Sequence, residues 1–364
     1  VRTGSFDEGF AALAECDWII EAVVERADVK KPLFERVDRA RRPGSIVTTN
    51  TSGLSVASLA EGRSDDFRRH WLGTHFFNPP RYLHRLEIVP TPDTDPAVLA
   101  RVREFADYRL GKGVVMAKDT PSFIANHIGL YGVFVILRAL ASGRYSIEEI
   151  DAMTGPVLGR PKSATCRTLD VAGIDVVAHV AHDLAQRLPS AAARQMFEAP
   201  PLLQELLRRN WIGEKTGQGF YKRVKGADGE SQILVLEPAT FEYRPTSPVA
   251  LPAIEAARAI EDTGDRIRAL FRGRDRVGDF LRETLAPTLV YAAEVTPDIA
   301  GGIDDVDRVM RWGFGWELGP FETMDAIGPA VVLAATPDAA SPPALIASLP
   351  AGDAARFRSG TLQP

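Results

Sequence analysis

The chain has 364 residues, 45% hydrophobic and 25% charged, proportions of a folded globular protein rather than a disordered or fibrous one. Its 43 Lys and Arg against 48 Asp and Glu give a net charge of −5, which argues against nucleic acid as a partner. Two cysteines, Cys16 and Cys166, cannot build a disulfide framework or a Cys-rich zinc site. The most apolar stretch, 128–137, is far shorter than the ~20 residues of a membrane span. The expectation is a cytoplasmic protein of two or three domains without a membrane span.

Residues 1–118 read as alternating helix and strand. Phe6 to Ala14 has helical apolar spacing, and Asp17 to Val24 is a β-branched run that reads as a buried strand. Val29 to Ala40 is an amphipathic helix that Arg42-Pro-Gly44 stops. Ser45 to Asn50 is a strand and Ser55 to Ala60 a short helix. Trp71 to Phe77 and Leu86 to Val89 are strands joined by a loop with Pro79 and Pro80. Ala97 to Leu110 is a helix and Gly113 to Met116 a last strand. This alternation predicts a mainly parallel α/β sheet.

After Lys118 the pattern turns helical. Thr120 as cap and Pro121 at the first helical position predict a long apolar helix from Ser122 to Ala141. Further helices are expected at Ile147 to Met153, Ile174 to Gln186 and Pro201 to Arg209, with Gly217-Gln-Gly-Phe-Tyr-Lys222 closing a region that runs from 119 to 222. The polar, Gly- and Pro-containing stretch that follows reads as a connecting segment, 223–272, before a last unit, 273–364. That unit carries a repeat. Ile147-Glu-Glu-Ile-Asp151 is echoed by Ile303-Asp-Asp-Val-Asp307, and Leu169-Asp-Val-Ala-Gly173 by Met324-Asp-Ala-Ile-Gly328. Matching motifs at nearly matching spacing predict a duplicated helical unit.

The densest chemical cluster is Gly73-Thr-His75-Phe-Phe-Asn78, followed by Arg85-Leu-Glu87-Ile-Val. Glu87 lies among apolar residues, where a carboxylate is tolerated only when paired. Two adjacent strands with a short connection can bring it to His75, and a carboxylate that holds a neutral imidazole makes a general base. A satisfied core histidine is the plainer reading of His75. Asn126 sits on the apolar helix and needs partners in the fold or in a ligand. Ser52 follows a strand end, where α/β sheets bind ligands, and also reads as an ordinary helix cap. His179 and His182 are three apart on one helix, but no third ligand is placed near them, so no metal is expected. Lys30-Lys31, Arg68-Arg69 and Arg81 with Arg85 are small basic clusters, suited to phosphates or simply surface charge.

Taken together, Glu21-Ala-Val-Val-Glu25 with Lys30, Asn50-Thr-Ser52, Thr74-His-Phe-Phe-Asn-Pro79, Lys118-Asp-Thr-Pro121 with Asn126, and Lys215-Thr-Gly-Gln-Gly-Phe-Tyr221 resemble the L-3-hydroxyacyl-CoA dehydrogenases, nearly to residue 330. The resemblance implies a Rossmann-type dinucleotide-binding domain followed by two all-α dehydrogenase C-terminal units. It implies NAD-dependent oxidation of L-3-hydroxyacyl-CoA to 3-ketoacyl-CoA in β-oxidation of fatty acids. In that role His75 is the base, Glu87 its partner, and Ser52 and Asn126 bind the reacting acyl portion. Ala22, Glu25, Lys30, Asn78 and Lys215 become cofactor contacts, with Lys30 also near the CoA.

The sequence departs from that pattern at Ser122, where the family commonly has Gly, and at His127, where it commonly has Arg. The two-unit arrangement resembles the long multifunctional members, so an enoyl-CoA hydratase domain is an expected companion in an intact protein, as monomer or homodimer. No strand with a Gly-x-Gly-x-x-Gly turn precedes Glu21, and Gly217-Gln-Gly219 and Gly313-Phe-Gly315 are in the wrong context for one. A start midway through the dinucleotide domain is therefore expected. A non-catalytic relative of the λ-crystallin kind and a sugar-acid dehydrogenase are the alternatives.

Overall fold

The computed structural model describes residues 2–6, 9–225, 230–336, 341–350, 352 and 355–358. Val1 lies outside them, as do residues 7–8 of the first expected helix and 226–229 of the connecting segment. The chain forms two compact units. One takes the segment up to Ile124 with Asp298–Gly313, and the other Ala125–Pro297 with the segment from Phe314.

The first unit opens with a 3-10 turn, Phe10–Glu15, in place of the expected α-helix. It continues through β1 (Trp18–Glu21), α1 (Ala27–Ala40), β2 (Ile46–Thr49), α2 (Val56–Leu59), α3 (Asp65–Arg69), β3 (Trp71–Phe76), β4 (Arg85–Pro90), α4 (Pro96–Glu104) and β5 (Gly113–Met116). The five strands lie in sequence order, with β1, β2 and β3 parallel, β4 antiparallel to β3, and β5 parallel to β4. One face of the sheet packs Ile46, Leu72, Leu86 and Ile88 against Val98, Val102 and Ala106. On the other, Trp71 meets the rings of Phe34 and Phe67, with centroids 4.6 and 5.2 Å away. With both faces covered, β2 to β4 are buried at nearly every position instead of alternating, polar residues included.

β1 differs from the expectation of a buried strand. It pairs with β2 alone among the described residues, and Ile20 is 49% exposed. The sequence shows a β-branched run but not how many neighbours the run has.

The second unit holds α5 (Ala125–Ala141), α6 (Ile147–Thr154), α7 (Cys166–Ala172), α8 (Ile174–Arg187), α9 (Ala191–Gln195) and α10 (Pro201–Arg208). Three strands follow, β6 (Tyr221–Lys225), β7 (Ser231–Glu237) and β8 (Glu242–Pro245), as an antiparallel sheet. The helices α11 (Pro252–Ala257), α12 (Thr263–Arg272) and α13 (Arg276–Ile299) come next. α14 (Ile303–Phe314), which belongs almost wholly to the first unit, precedes α15 (Pro320–Ile327), α16 (Pro329–Ala334) and α17 (Ala344–Ala347).

The stretch expected only to connect thus carries a sheet and two helices. Its strands carry little apolar pattern beyond Ile233–Leu236, because β6 and β8 hold no fully buried residue. Val235 and Leu236 are buried, while Arg244 forks onto Glu148 of α6 at 2.7 and 3.1 Å.

The long helix also begins later than its cap residues implied. Ser122 and Phe123 are buried in the left-handed region, at φ 62° and 49°, and α5 starts at Ala125. The Ile124 amide that a helix from Ser122 would orient along its axis donates instead to Glu87 Oε1 at 3.2 Å.

The repeated motifs have matching local geometry. Asp170 accepts from the backbone amides of Phe220 and Tyr221, both at 2.8 Å, and Asp325 from those of Phe357 and Arg358 at 2.7 and 3.2 Å. Gly173 and Gly328, three residues after each Asp, share a positive-φ conformation, 95° and 110°, open to glycine.

Candidate active site

The β3–β4 register sets His75 directly opposite Glu87, so both side chains leave the same face of the sheet. His75 Nδ1 lies 2.6 Å from Glu87 Oε2, and both side chains are buried. This bond gives the Nδ1–H tautomer and leaves Nε2, which has no partner among the described residues, as the lone-pair nitrogen. The rings of Phe77 and Phe123 stand 5.2 and 5.5 Å from the imidazole.

Arg85, which the sequence offers as a phosphate contact or as surface charge, is fully buried. Two residues before Glu87 on β4, it points to the same face. Its Nη2 is 3.3 Å from Glu87 Oε2 and 3.5 Å from His75 Nδ1. The guanidinium stacks on Phe77, 3.1 Å above the ring centroid. Burial pulls it down to about 10, against the opposing pull of Glu87. No sequence rule flags this residue, since arginine is rarely fully buried.

Parallel pairing brings the C-terminal ends of β1, β2 and β3 to one sheet edge, where open α/β sheets take their ligands. Ala22 follows β1 there, Ser52 follows β2, and Asn78 follows β3 through a cis peptide to Pro79. Glu25 organises the middle loop. Its Oε1 accepts from the Ser52 amide at 2.8 Å, the Gly53 amide at 3.2 Å and the Thr51 hydroxyl. Burial raises this carboxyl, but the Thr51 hydroxyl, the Lys30 charge and the Ser52 amide outweigh it and hold it below the usual range.

Lys30 is 1% exposed, 2.7 Å from Glu21 and 3.3 Å from Glu25. Its charge is therefore spent inside the fold. Asp119, part of the Lys118–Pro121 motif, accepts from the Val56 and Ala57 amides at the start of α2, at 2.7 and 2.8 Å. The other two expected site residues lie in the second unit. Asn126 is half-buried in the first turn of α5, and Lys215 pairs with Asp175 at 2.5 Å. His179 is largely exposed and stands 3.5 Å from Asp183.

With this geometry in place, residues 1–120 match the family model for the 3-hydroxyacyl-CoA dehydrogenase NAD binding domain. Residues 123–223 and 280–346 match the model for the C-terminal domain of the same enzymes. The chain belongs to the 3-hydroxyacyl-CoA dehydrogenase family. It is 48% identical over 328 residues to a probable 3-hydroxyacyl-CoA dehydrogenase of Bacillus subtilis, covering 90% of this chain and 41% of that protein. The chain thus spans less than half the length of this relative.

Among solved structures, FadB2 of M. tuberculosis is 30% identical, with a TM-score of 0.55 over 59% of this chain and 73% of its own. The 3-hydroxybutyryl-CoA dehydrogenase of Escherichia coli K12 shares the fold, with a TM-score of 0.68 over 93% of this chain and 82% of its own, at 21% identity.

Ala22, Val24 and Asn78 at the sheet edge are exposed. Ala22 and Val24 present small apolar side chains to solvent there, Val24 62% exposed, and Asn78 an amide. Gly217 and Gly219 lead into β6, and Gly313 lies in the last turn of α14. No described helix is long and apolar enough to cross a membrane.

Proposed function

We propose that this chain carries the NAD-dependent oxidation of L-3-hydroxyacyl-CoA to 3-ketoacyl-CoA, as a step of fatty-acid β-oxidation. The observation that carries the reading is the buried 2.6 Å contact between His75 and Glu87, in a chain of this family. His75 Nε2 takes the hydroxyl proton. Glu87 fixes the ring and offsets the charge that the proton brings. Bound NAD supplies the acceptor for the hydrogen that leaves C3 with its electron pair, and the protein supplies position and the base.

Ser52 and Asn126 are contacts of the reacting acyl portion in this reading, and Ala22 and Asn78 hold the nicotinamide side. Glu25 and Lys30 act by shaping the loop that presents Ser52, which their hydrogen bonds and ion pairs support. Lys215 remains a proposed cofactor contact. An acyl-CoA substrate and an enoyl-CoA hydratase companion domain belong to the same proposal.

The test is NAD reduction by the full chain with 3-hydroxybutyryl-CoA and with free 3-hydroxy acids. Turnover of the thioester alone, lost in His75→Ala, is the expected result. Turnover of the free acid alone would favour the sugar-acid alternative, and turnover retained in His75→Ala would overturn the role of the base.

A further inference from the structure

A buried imidazole hydrogen-bonded to a carboxylate faces a difficulty as a base. The carboxylate stabilises the imidazolium, so the pair tends to hold the proton it should be ready to accept. In this chain a third charge is built into the pair. Arg85 Nη2 reaches the same Glu87 oxygen that His75 uses, at 3.3 Å, and lies 3.5 Å from the histidine nitrogen. Two further nitrogens of this arginine, Nε and Nη1, are buried without a hydrogen-bond partner.

A buried guanidinium that leaves donors unpaired is costly to fold. Two neighbours hold it in place. Phe77 covers one face, and on α14 the Gly313 backbone comes so close that a Cβ there would lie 3.1 Å from Arg85 Cδ and Nη1. The fold keeps this charge beside the base rather than letting the side chain turn to water.

We infer that Arg85 is a positioning residue for the base: its guanidinium keeps Glu87 ionised and opposes a second positive charge on His75, so that the ring rests neutral and ready to accept a proton. The inference rests on the proposed reaction for its purpose but not for its physics. From β4 the imidazole faces Glu87 and Arg85. From the 121–124 turn it meets the Phe123 ring, from the end of β3 the Phe77 ring, and β2 brings the uncharged Val47 and Thr49 to this face. Glu87 also takes the Ile124 amide on its other oxygen, so its orientation does not depend on the arginine alone.

The test compares the full chain with Arg85→Met and Arg85→Lys. The His75 ring is followed by nitrogen NMR during a pH titration, with His75→Gln identifying its signals. Removing the neighbouring positive charge in Arg85→Met should raise the His75 midpoint by about one pH unit, and Arg85→Lys should restore most of the difference. The acidic limb of the kcat/KM profile should move by the same amount in the same direction, about a tenfold loss on the acid side that is recovered at higher pH.

Should Arg85→Met fail to fold, Gly313→Ala displaces the guanidinium while keeping its charge, and a smaller upward shift is expected. A His75 midpoint unmoved in folded variants would overturn the inference, because a merely structural arginine predicts that result. A moved midpoint supports it whether or not hydroxyacyl-CoA is turned over. A failed activity assay therefore counts against the proposed reaction alone.

Discussion

Replacing Glu87 by glutamine changes one oxygen to an amide nitrogen and leaves the shape of the side chain. The structure makes that exchange costly in either orientation. Glu87 uses Oε1 to accept from the Ile124 amide at 3.2 Å, and Oε2 to accept from His75 at 2.6 Å and Arg85 at 3.3 Å. With its oxygen toward Ile124, a glutamine turns its NH2 to His75 and Arg85. It can then donate to Nδ1, which moves the ring proton to Nε2 and removes the lone pair meant for the substrate. With its oxygen toward His75, the NH2 faces the Ile124 N–H, and two donors are buried against each other.

In both orientations Arg85 loses its buried counter-charge, a change that costs about 3–5 kcal/mol of stability. The wrong tautomer in a His–carboxylate pair lowers kcat by roughly 10⁴-fold. Expected for Glu87→Gln is therefore a loss of about ten-thousandfold in kcat with a small change in KM, together with a clear drop in the denaturation midpoint. Steady-state rates of nicotinamide reduction and urea unfolding of the same preparation check both. A variant that keeps kcat within about threefold while losing stability would refute the orienting role and leave Glu87 as a structural carboxylate.

Ser122→Gly should stabilise the protein by about 1 kcal/mol, because a non-glycine residue at φ 62° carries backbone strain that exceeds the entropy glycine loses on folding; a lower midpoint in chemical denaturation would contradict this. Asp170 should titrate far above an ordinary aspartate. Burial pushes it up to about 6, against the Tyr221 and Phe220 amides that favour its ionised form. Because the folded value is raised, the sign is that the group's stabilising contribution is complete below about pH 4 and is lost as pH rises through about 6. The loss amounts to about 3 kcal/mol. A carboxyl carbon NMR titration reads the midpoint directly, and one below about 4 would refute it.

Which features could be read from the sequence follows from the range of the forces that set them. His75 and Glu87 could be read as a pair because strand alternation and the rule against an unpaired buried carboxylate are both local statements, and the register then joined them. Arg85 could not. Its burial depends on Phe77 and on the closeness of Gly313, more than 200 positions along the chain, and no local pattern encodes that. The start of α5 failed for the same reason. Thr120 and Pro121 are sound helix-start signals, but the amide that would continue such a helix is taken by Glu87, 37 positions earlier. α3 has no legible pattern although Ser64 caps it, accepting from the Phe67 amide at 3.1 Å, because five residues are too few to show a period.

The repeat was readable for the opposite reason: one local device is used twice. A buried aspartate that accepts two successive backbone amides needs no particular side chain on its partner. The pairs Phe220–Tyr221 and Phe357–Arg358 can therefore differ while Asp170 and Asp325 stay the same. The positive-φ glycine three residues on is fixed in both copies because each helix stops there and the next one starts at once. The acids and glycines thus carry the legible signal, and the segments that meet them were free to diverge into β6 in one copy and the 355–358 stretch in the other.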